Sequence, residues 1–217
     1  MRMEELLKSV YSSQDQLISA IIKLYVPAGF DCDMTYGRGG FWRTAARPPH
    51  CFDILPTAGF VVKADTCKLP LVSCSITSAI FDLPFLCYVS GGRALDRPNP
   101  TSKPDSVMSQ RFGGYWSYEE LSEHYRGTLR EANRILKPAG ILAVKCQDII
   151  YNHHIRPTHA SIIQWASDLT FRLTDILILI NSKKILPVLA AKHGRQRQQH
   201  ARIQHSYFLI FRKNRVD

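Results

Sequence analysis

Ser78-Ala79-Ile80-Phe81-Asp82-Leu83-Pro84-Phe85 is the stretch on which the fold turns. Its first half continues an apolar run from Ser75 that reads as a buried strand, closing at Phe81. Its second half sets an acid, a carbonyl, a proline-stiffened turn and an aromatic ring together at that strand's carboxyl end. In an open parallel sheet, ligands bind outside the carboxyl ends of the strands. Four such groups suit holding a flat base by its exocyclic amine.

Upstream, Phe30 to Met34 reads as a first short strand that runs into Asp33-Met34-Thr35-Tyr36-Gly37-Arg38-Gly39-Gly40. Glycines there let the backbone approach a ligand and adopt positive φ angles. Cys51 to Leu55 and Phe60 to Asp65 read as two further strands, and each ends at or next to an acid, Asp53 and Asp65. Asp53 lies where dinucleotide folds place a ribose-binding acid. A nicotinamide or flavin fingerprint, however, needs a small residue where this chain has Trp42, and no Gly-Lys-Ser/Thr follows to make a phosphate-cradling loop.

Downstream, residues 86–114 carry glycines, prolines and polar side chains, and a loop of that length is usually a lid or binding loop. It directly follows the acid-proline-aromatic run, so it is expected to face the substrate. Ser117, with Glu120 three positions on, forms a capping box that opens a helix to about Lys137, stopped by Pro138-Ala139-Gly140. Ile141 to Cys146 reads as a strand, with Lys145 to Asp148 at its end lining the substrate cleft, or Asp148 pairing with a basic neighbour on the surface. Pro157 opens a helix to about Leu169. Leu173 to Ile180 and Ser206 to Phe211 read as the last strands, and residues 12 to 25 as an amphipathic first helix. Alternating strands and helices predict a three-layer α/β sandwich in a single domain over 1–217, its sheet mostly parallel and seven-stranded, with an antiparallel last strand.

The chain has 217 residues and a net charge of +10. From 182 to 216 it carries Lys183, Lys184, Lys192, Arg195, Arg197, Arg202, Arg212, Lys213 and Arg215 and no acid. Such a segment reads as phosphate-binding, against a solvated basic loop or an anionic membrane surface. Lys192, Arg195, Arg197 and Arg202, in the basic loop 182–204, are the candidate nucleic-acid contacts. No apolar run reaches the roughly 18 residues that span a bilayer, and the opening residues do not read as a secretion signal. The expected location is cytoplasmic. Cys32, Cys51, Cys67, Cys74, Cys87 and Cys146 show no Cys-x-x-Cys pair. No metal and no disulfide framework is expected, and His153-His154 reads as a surface loop. Oligomeric state is open.

The run Asp33 to Gly40 resembles the Asp-Pro-x-x-Gly-x-Gly motif of S-adenosylmethionine-dependent amino-methyltransferases acting on DNA. Asp82-Leu83-Pro84-Phe85 resembles their Asp/Asn/Ser-Pro-Pro-Tyr/Phe catalytic motif. The likeness extends over roughly 11 to 213, and Leu136 to Gly140 is similar to the family's turn before its fifth strand. Met34 and Leu83 stand where the family has proline. The resemblance implies a Rossmann-like class I methyltransferase fold with S-adenosyl-L-methionine as cofactor. By it, Asp33, Thr35, Tyr36, Gly37 and Gly39 cradle the methionine part. Asp53 accepts from the ribose, and Asp65 with Thr66 meets the cofactor's adenine. Asp82 and the Leu83 carbonyl accept the target amine's hydrogens, Pro84 stiffens the turn, and Phe85 stacks on the base. DNA is the implied partner, N6-adenine favoured over N4-cytosine. An RNA base methyltransferase or a non-catalytic nucleic-acid-binding protein are the alternatives, and a cysteine nucleophile at Cys87 or Cys146 is the rival chemistry.

Overall fold

The computed structural model describes residues 6–85, 87, 117–181 and 200–215. They form ten strands and three helices. The strands are β1 (Val10–Tyr11), β2 (Cys32–Asp33), β3 (His50–Asp53), β4 (Val62–Lys63), β5 (Ile76–Asp82), β6 (Leu136–Cys146), β7 (Ile149–Tyr151), β8 (His154–Arg156), β9 (Phe171–Ile180) and β10 (His205–Lys213). The helices are α1 (Gln14–Tyr25), α2 (Tyr118–Ile135) and α3 (Thr158–Ser167).

The main sheet has eight strands in the order β1-β9-β10-β6-β5-β2-β3-β4. Only β10 runs antiparallel to its neighbours. The expected seven strands are all present, and the eighth is β1, whose two residues pair with Ile178 and Leu179 at the edge. A two-residue strand is too short to show an alternating pattern.

Strand side chains alternate between two buried faces. Ile80, Ala143, Phe208 and Ile210 pack with Leu17, Ile18 and Ile21 of α1. Phe81, Leu142, Val144, Leu209 and Phe211 pack with Leu121, Tyr125 and Leu129 of α2 and with Ile162 and Ala166 of α3. Both faces being covered is why these strands read as continuous apolar runs. Each fully buried large apolar side chain contributes about 1.5–3 kcal/mol.

The helix ends follow local chemistry. Ser117 Oγ accepts from Glu120 N at 3.1 Å and Glu120 Oε2 accepts from Ser117 N at 3.1 Å, the expected capping box. However, α2 stops at Ile135 rather than Lys137, because Leu136 is already extended (φ −74°, ψ 137°). Pro138 disfavours helix in the residue before it, and the Pro138–Gly140 run lies inside β6. A Cβ at Gly140 would lie 2.8 Å from the Lys137 carbonyl and 3.1 Å from that of Thr77. Asn152 and His153 (φ 50° and 61°) make the two-residue turn between β7 and β8. His153 is therefore in the expected surface turn, while His154 opens a strand.

The connection from β4 to β5 is fastened to α2 by an ion pair between the buried Glu131 and the partly exposed Arg134. Arg134 Nη2 lies 2.6 Å from Glu131 Oε1, and the guanidinium also donates to the carbonyls of Leu69 and Leu71. Glu131 in turn accepts from Leu69 N at 2.7 Å. Removing one partner of a buried pair strands the other charge. Arg134→Ala should therefore lower the unfolding free energy by about 2–3 kcal/mol in urea titrations, less than a fully buried pair would lose because the guanidinium is partly exposed.

Candidate active site

The acids that the sequence singles out converge on the carboxyl end of the sheet. Asp33 and Asp53 end β2 and β3, and Asp82 ends β5. Asp65 lies two residues beyond β4 instead of at its end.

Asp33 is only 1% exposed. Its carboxylate accepts from Thr35 N at 2.9 Å and from the Trp42 indole Nε1 at 2.7 Å. It therefore holds the glycine turn in shape from beneath. Burial pushes its pKa up to about 7, opposed by the Trp42 and Thr35 hydrogen bonds. Thr35 extends this network, because its Oγ1 accepts from Asp82 N at 2.7 Å. One threonine thus joins the two sequence motifs.

The turn itself has Gly37 at φ 55° and Gly39 at φ 71°. A Cβ on Gly39 would come within 2.6 Å of the Tyr36 hydroxyl. Gly37 N donates to Asp53 Oδ2 at 2.7 Å, and Leu55 N donates to Asp53 Oδ1 at 2.8 Å. Asp53 is thus tied to the turn, and a carboxylate's further lone pairs leave room for ribose hydroxyls. Gln14, at the start of α1, donates to the Gly40 carbonyl at 2.9 Å. Asp65 is exposed. Thr66 is buried, its hydroxyl 2.9 Å from His124 Nε2 and 2.8 Å from Thr128 Oγ1. That side chain points into α2, leaving its backbone as what it can offer a cofactor.

Asp82 forms the centre. Lys145 Nζ donates to its Oδ2 at 2.7 Å. Its Oδ1 is buried and has no hydrogen-bond partner among the described residues. Burial raises the Asp82 pKa, and Lys145 opposes the rise by charge and hydrogen bond. Lys145 also sits 5.5 Å from the Phe41 ring centroid and 6.0 Å from that of Phe208. Leu83 is 2% exposed, with Pro84 and Phe85 partly buried. Phe85 packs against the α2-side core.

Lys145 is the residue whose part sequence reasoning left open. Its signal was there: a lysine rarely lies in an apolar strand without a partner, and Lys145 is register partner to Asp82 across β5 and β6. Asp148 proves to pair with a basic neighbour. Its Oδ1 lies 2.6 Å from His159 Nδ1 and 3.2 Å from His159 N. It thereby supplies the first turn of α3 with an acceptor that the Pro157 cap lacks. The cysteine route loses support, since burial holds the Cys146 thiol well above its ordinary pKa and raises Cys87 to about 11. Arg202 is exposed, whereas Lys192, Arg195 and Arg197 lie outside the described residues, as does all of 86–114 except Cys87.

No protein-family model matches the chain, and no curated protein matches it. Solved structures do. A Galdieria sulphuraria protein assigned as a sarcosine dimethylglycine methyltransferase shares 13% identity over 92% of this chain and 85% of its own, with a TM-score of 0.53. The chain has the class I methyltransferase fold. The [4+2]-cyclase SpnF has it too, at 16% identity over 92% of this chain and 81% of its own, TM-score 0.53. At such identities the fold is shared and the chemistry is left to the site. A Thermus thermophilus protein assigned as a DNA modification methylase, complexed with S-adenosyl-L-methionine, aligns at 16% identity and a TM-score of 0.44, over 70% of this chain. The chain spans about half that protein's length, 54%.

The raised Asp33 pKa has a thermodynamic consequence. Folding favours the protonated carboxyl, so the stabilisation is full below the unfolded value near 3.8 and is lost as pH rises through about 7. Asp33→Asn titrates nowhere in this window. The unfolding free energy of the wild type relative to Asp33→Asn should fall between pH 4 and 7, by on the order of 4 kcal/mol, in urea titrations.

Proposed function

We propose that this protein binds S-adenosyl-L-methionine over the glycine turn and methylates an exocyclic amine of a nucleic-acid base, N6 of adenine in DNA ahead of N4 of cytosine. The observation that carries the reading is the buried, unpartnered Oδ1 of Asp82, an acceptor awaiting a donor. It stands at the end of β5, joined through Thr35 to the turn that would hold the cofactor. The turn fits that group: Gly37 and Gly39 take left-handed backbone, and Asp53 and Asp65 lie at or beyond the ends of the next two strands.

Bound S-adenosyl-L-methionine supplies a sulfonium methyl group. Gly37, Gly39 and the backbone around Tyr36 and Thr35 would hold its methionine part, with Asp33 shaping the turn. Asp53 would accept from its ribose, and Asp65, beside Thr66, from its adenine. An exocyclic amine is a poor nucleophile because its lone pair is delocalised into the ring. Asp82 Oδ1 and the Leu83 carbonyl accept its two hydrogens, draw them from the ring plane and localise that pair. Positioning and electrostatics do this work, without a covalent enzyme intermediate. The base must leave the duplex to reach Asp82, and stacking on Phe85, behind Pro84, returns about 1–3 kcal/mol of that cost. Lys145 occupies Oδ2, which orients the carboxylate and opposes the rise in pKa that burial causes. The exposed Arg202, with Lys192, Arg195 and Arg197 and the loop 86–114, would contact the nucleic-acid backbone.

Labelled methyl from S-adenosyl-L-methionine, offered to unmethylated DNA and to RNA, tests the reading. N6-methyladenine in DNA that disappears with Asp82→Ala is the expected result. Transfer to RNA alone, or cofactor binding without transfer to either, rejects DNA methylation. In the same assay Lys145→Met should move the acidic limb of the pH–rate profile to higher pH. Burial raises the Asp82 pKa and Lys145 is what lowers it, so without the lysine the carboxylate protonates at higher pH.

A further inference from the structure

The α2 face that meets the β4–β5 connection carries His124, Gly127 and Thr128, spaced three and four residues apart so that they share one side. Opposite them lie Asp65, Thr66 and Cys67. Asp65 Oδ1 is 3.8 Å from His124 Nε2, and the ligand atoms of Asp65, Cys67 and His124 all lie within 4.8 Å of one another. We infer that Asp65, Cys67 and His124 form a binding site for a thiophilic divalent cation, zinc above all.

The donor set selects the metal. One thiolate, one imidazole and one carboxylate suit zinc, whereas magnesium and calcium prefer oxygen alone. Around a tetrahedral zinc, neighbouring ligand atoms stand about 3.3–3.8 Å apart, given bonds of about 2.0–2.3 Å. The pocket is slightly wider than that. The Asp65 carboxylate and His124 ring, with side chains 57% and 31% exposed, can close the difference by side-chain rotation. Their exposure is also the way in for the ion. Three protein ligands leave a fourth position for water. Binding replaces the 2.9 Å hydrogen bond between the Thr66 hydroxyl and His124 Nε2, while Thr66 keeps its 2.8 Å bond to Thr128.

An independent feature supports the placement of the sulfur. Gly127 lies inside α2, where glycine costs about 1 kcal/mol relative to alanine. A Cβ at that position would lie 2.6 Å from Cys67 Sγ. The helix gives up stability at the one point where the thiol enters. Cys67 N also donates to Asp65 Oδ1 at 2.8 Å, which folds the two loop ligands toward each other.

The test uses the full chain with metal alone and needs no methyl acceptor or cofactor. After incubation with zinc and dialysis, elemental analysis should find about one zinc per chain. Cobalt(II) in its place should give a thiolate-to-metal charge-transfer band and the visible bands of a tetrahedral ion. Cys67→Ser should abolish the charge-transfer band. Losing a ligand should weaken affinity by about 100-fold or more, beyond the 10–100-fold of an outer-shell partner. Gly127→Ala, which removes no ligand, should also weaken binding by crowding the sulfur. Retained helical circular dichroism separates these effects from misfolding. Zinc lost on dialysis, or a cobalt thiolate band unchanged in Cys67→Ser, overturns the assignment.

Discussion

Removing the Asp33 carboxylate from water is the constraint on which this end of the molecule depends. A buried carboxyl must find donors or take a proton. Asp33 finds the indole of Trp42 and the backbone of Thr35. These two bonds set the curvature of the glycine turn, since they fix the residues on either side of it. They also explain why a bulky indole stands where a dinucleotide fold would need a small residue: here it is a donor, 9% exposed and packed edge-on against Phe30 and Phe41. From Thr35 the constraint passes to Asp82 N, so the turn and the strand end are held as one unit.

The second charge problem is solved differently. Asp82 lies near enough to Asp33 to disfavour its ionisation. Asp82 meets the Lys145 ammonium, where Asp33, among the described residues, accepts from the Trp42 indole and the Thr35 backbone. The consequence is a division of labour. Asp33 is a structural carboxyl poised between its two protonation states. Asp82 is a carboxyl raised by burial and held back by Lys145, with one oxygen engaged and the other without a partner among the described residues.

Much of this was legible in the sequence because it is local. The capping box at Ser117, the strand ending at Asp82 and the positive-φ glycines at 37 and 39 depend on neighbours within a few residues. What escaped is set by register and packing between distant segments. Lys145 and Asp82 are 63 residues apart, and their pairing follows from how β5 and β6 align. The Asp65, Cys67 and His124 grouping has no spacing signature, because a loop supplies two members and a helix the third. Thr66 looked like a ligand-facing residue beside Asp65. It is buried because the chain turns there, with Lys68 N bonded to the Asp65 carbonyl at 2.9 Å.

Leu83 shows how packing can stand in for covalent stiffness. In the proposed reaction its carbonyl must point at the target amine, a task for which proline's ring would fix φ. Leucine has no such ring, yet its side chain is 2% exposed and joins the core cluster of Phe81, Leu121 and Tyr125. Displacing the carbonyl would drag that side chain out of contact, at a cost of about 1.5–3 kcal/mol for a fully buried leucine. The strand end is therefore restrained on three sides: Leu83 by the core, Asp82 N by Thr35, and the Asp82 carboxylate by Lys145. A backbone held in this way does not need the proline to keep its acceptors in place.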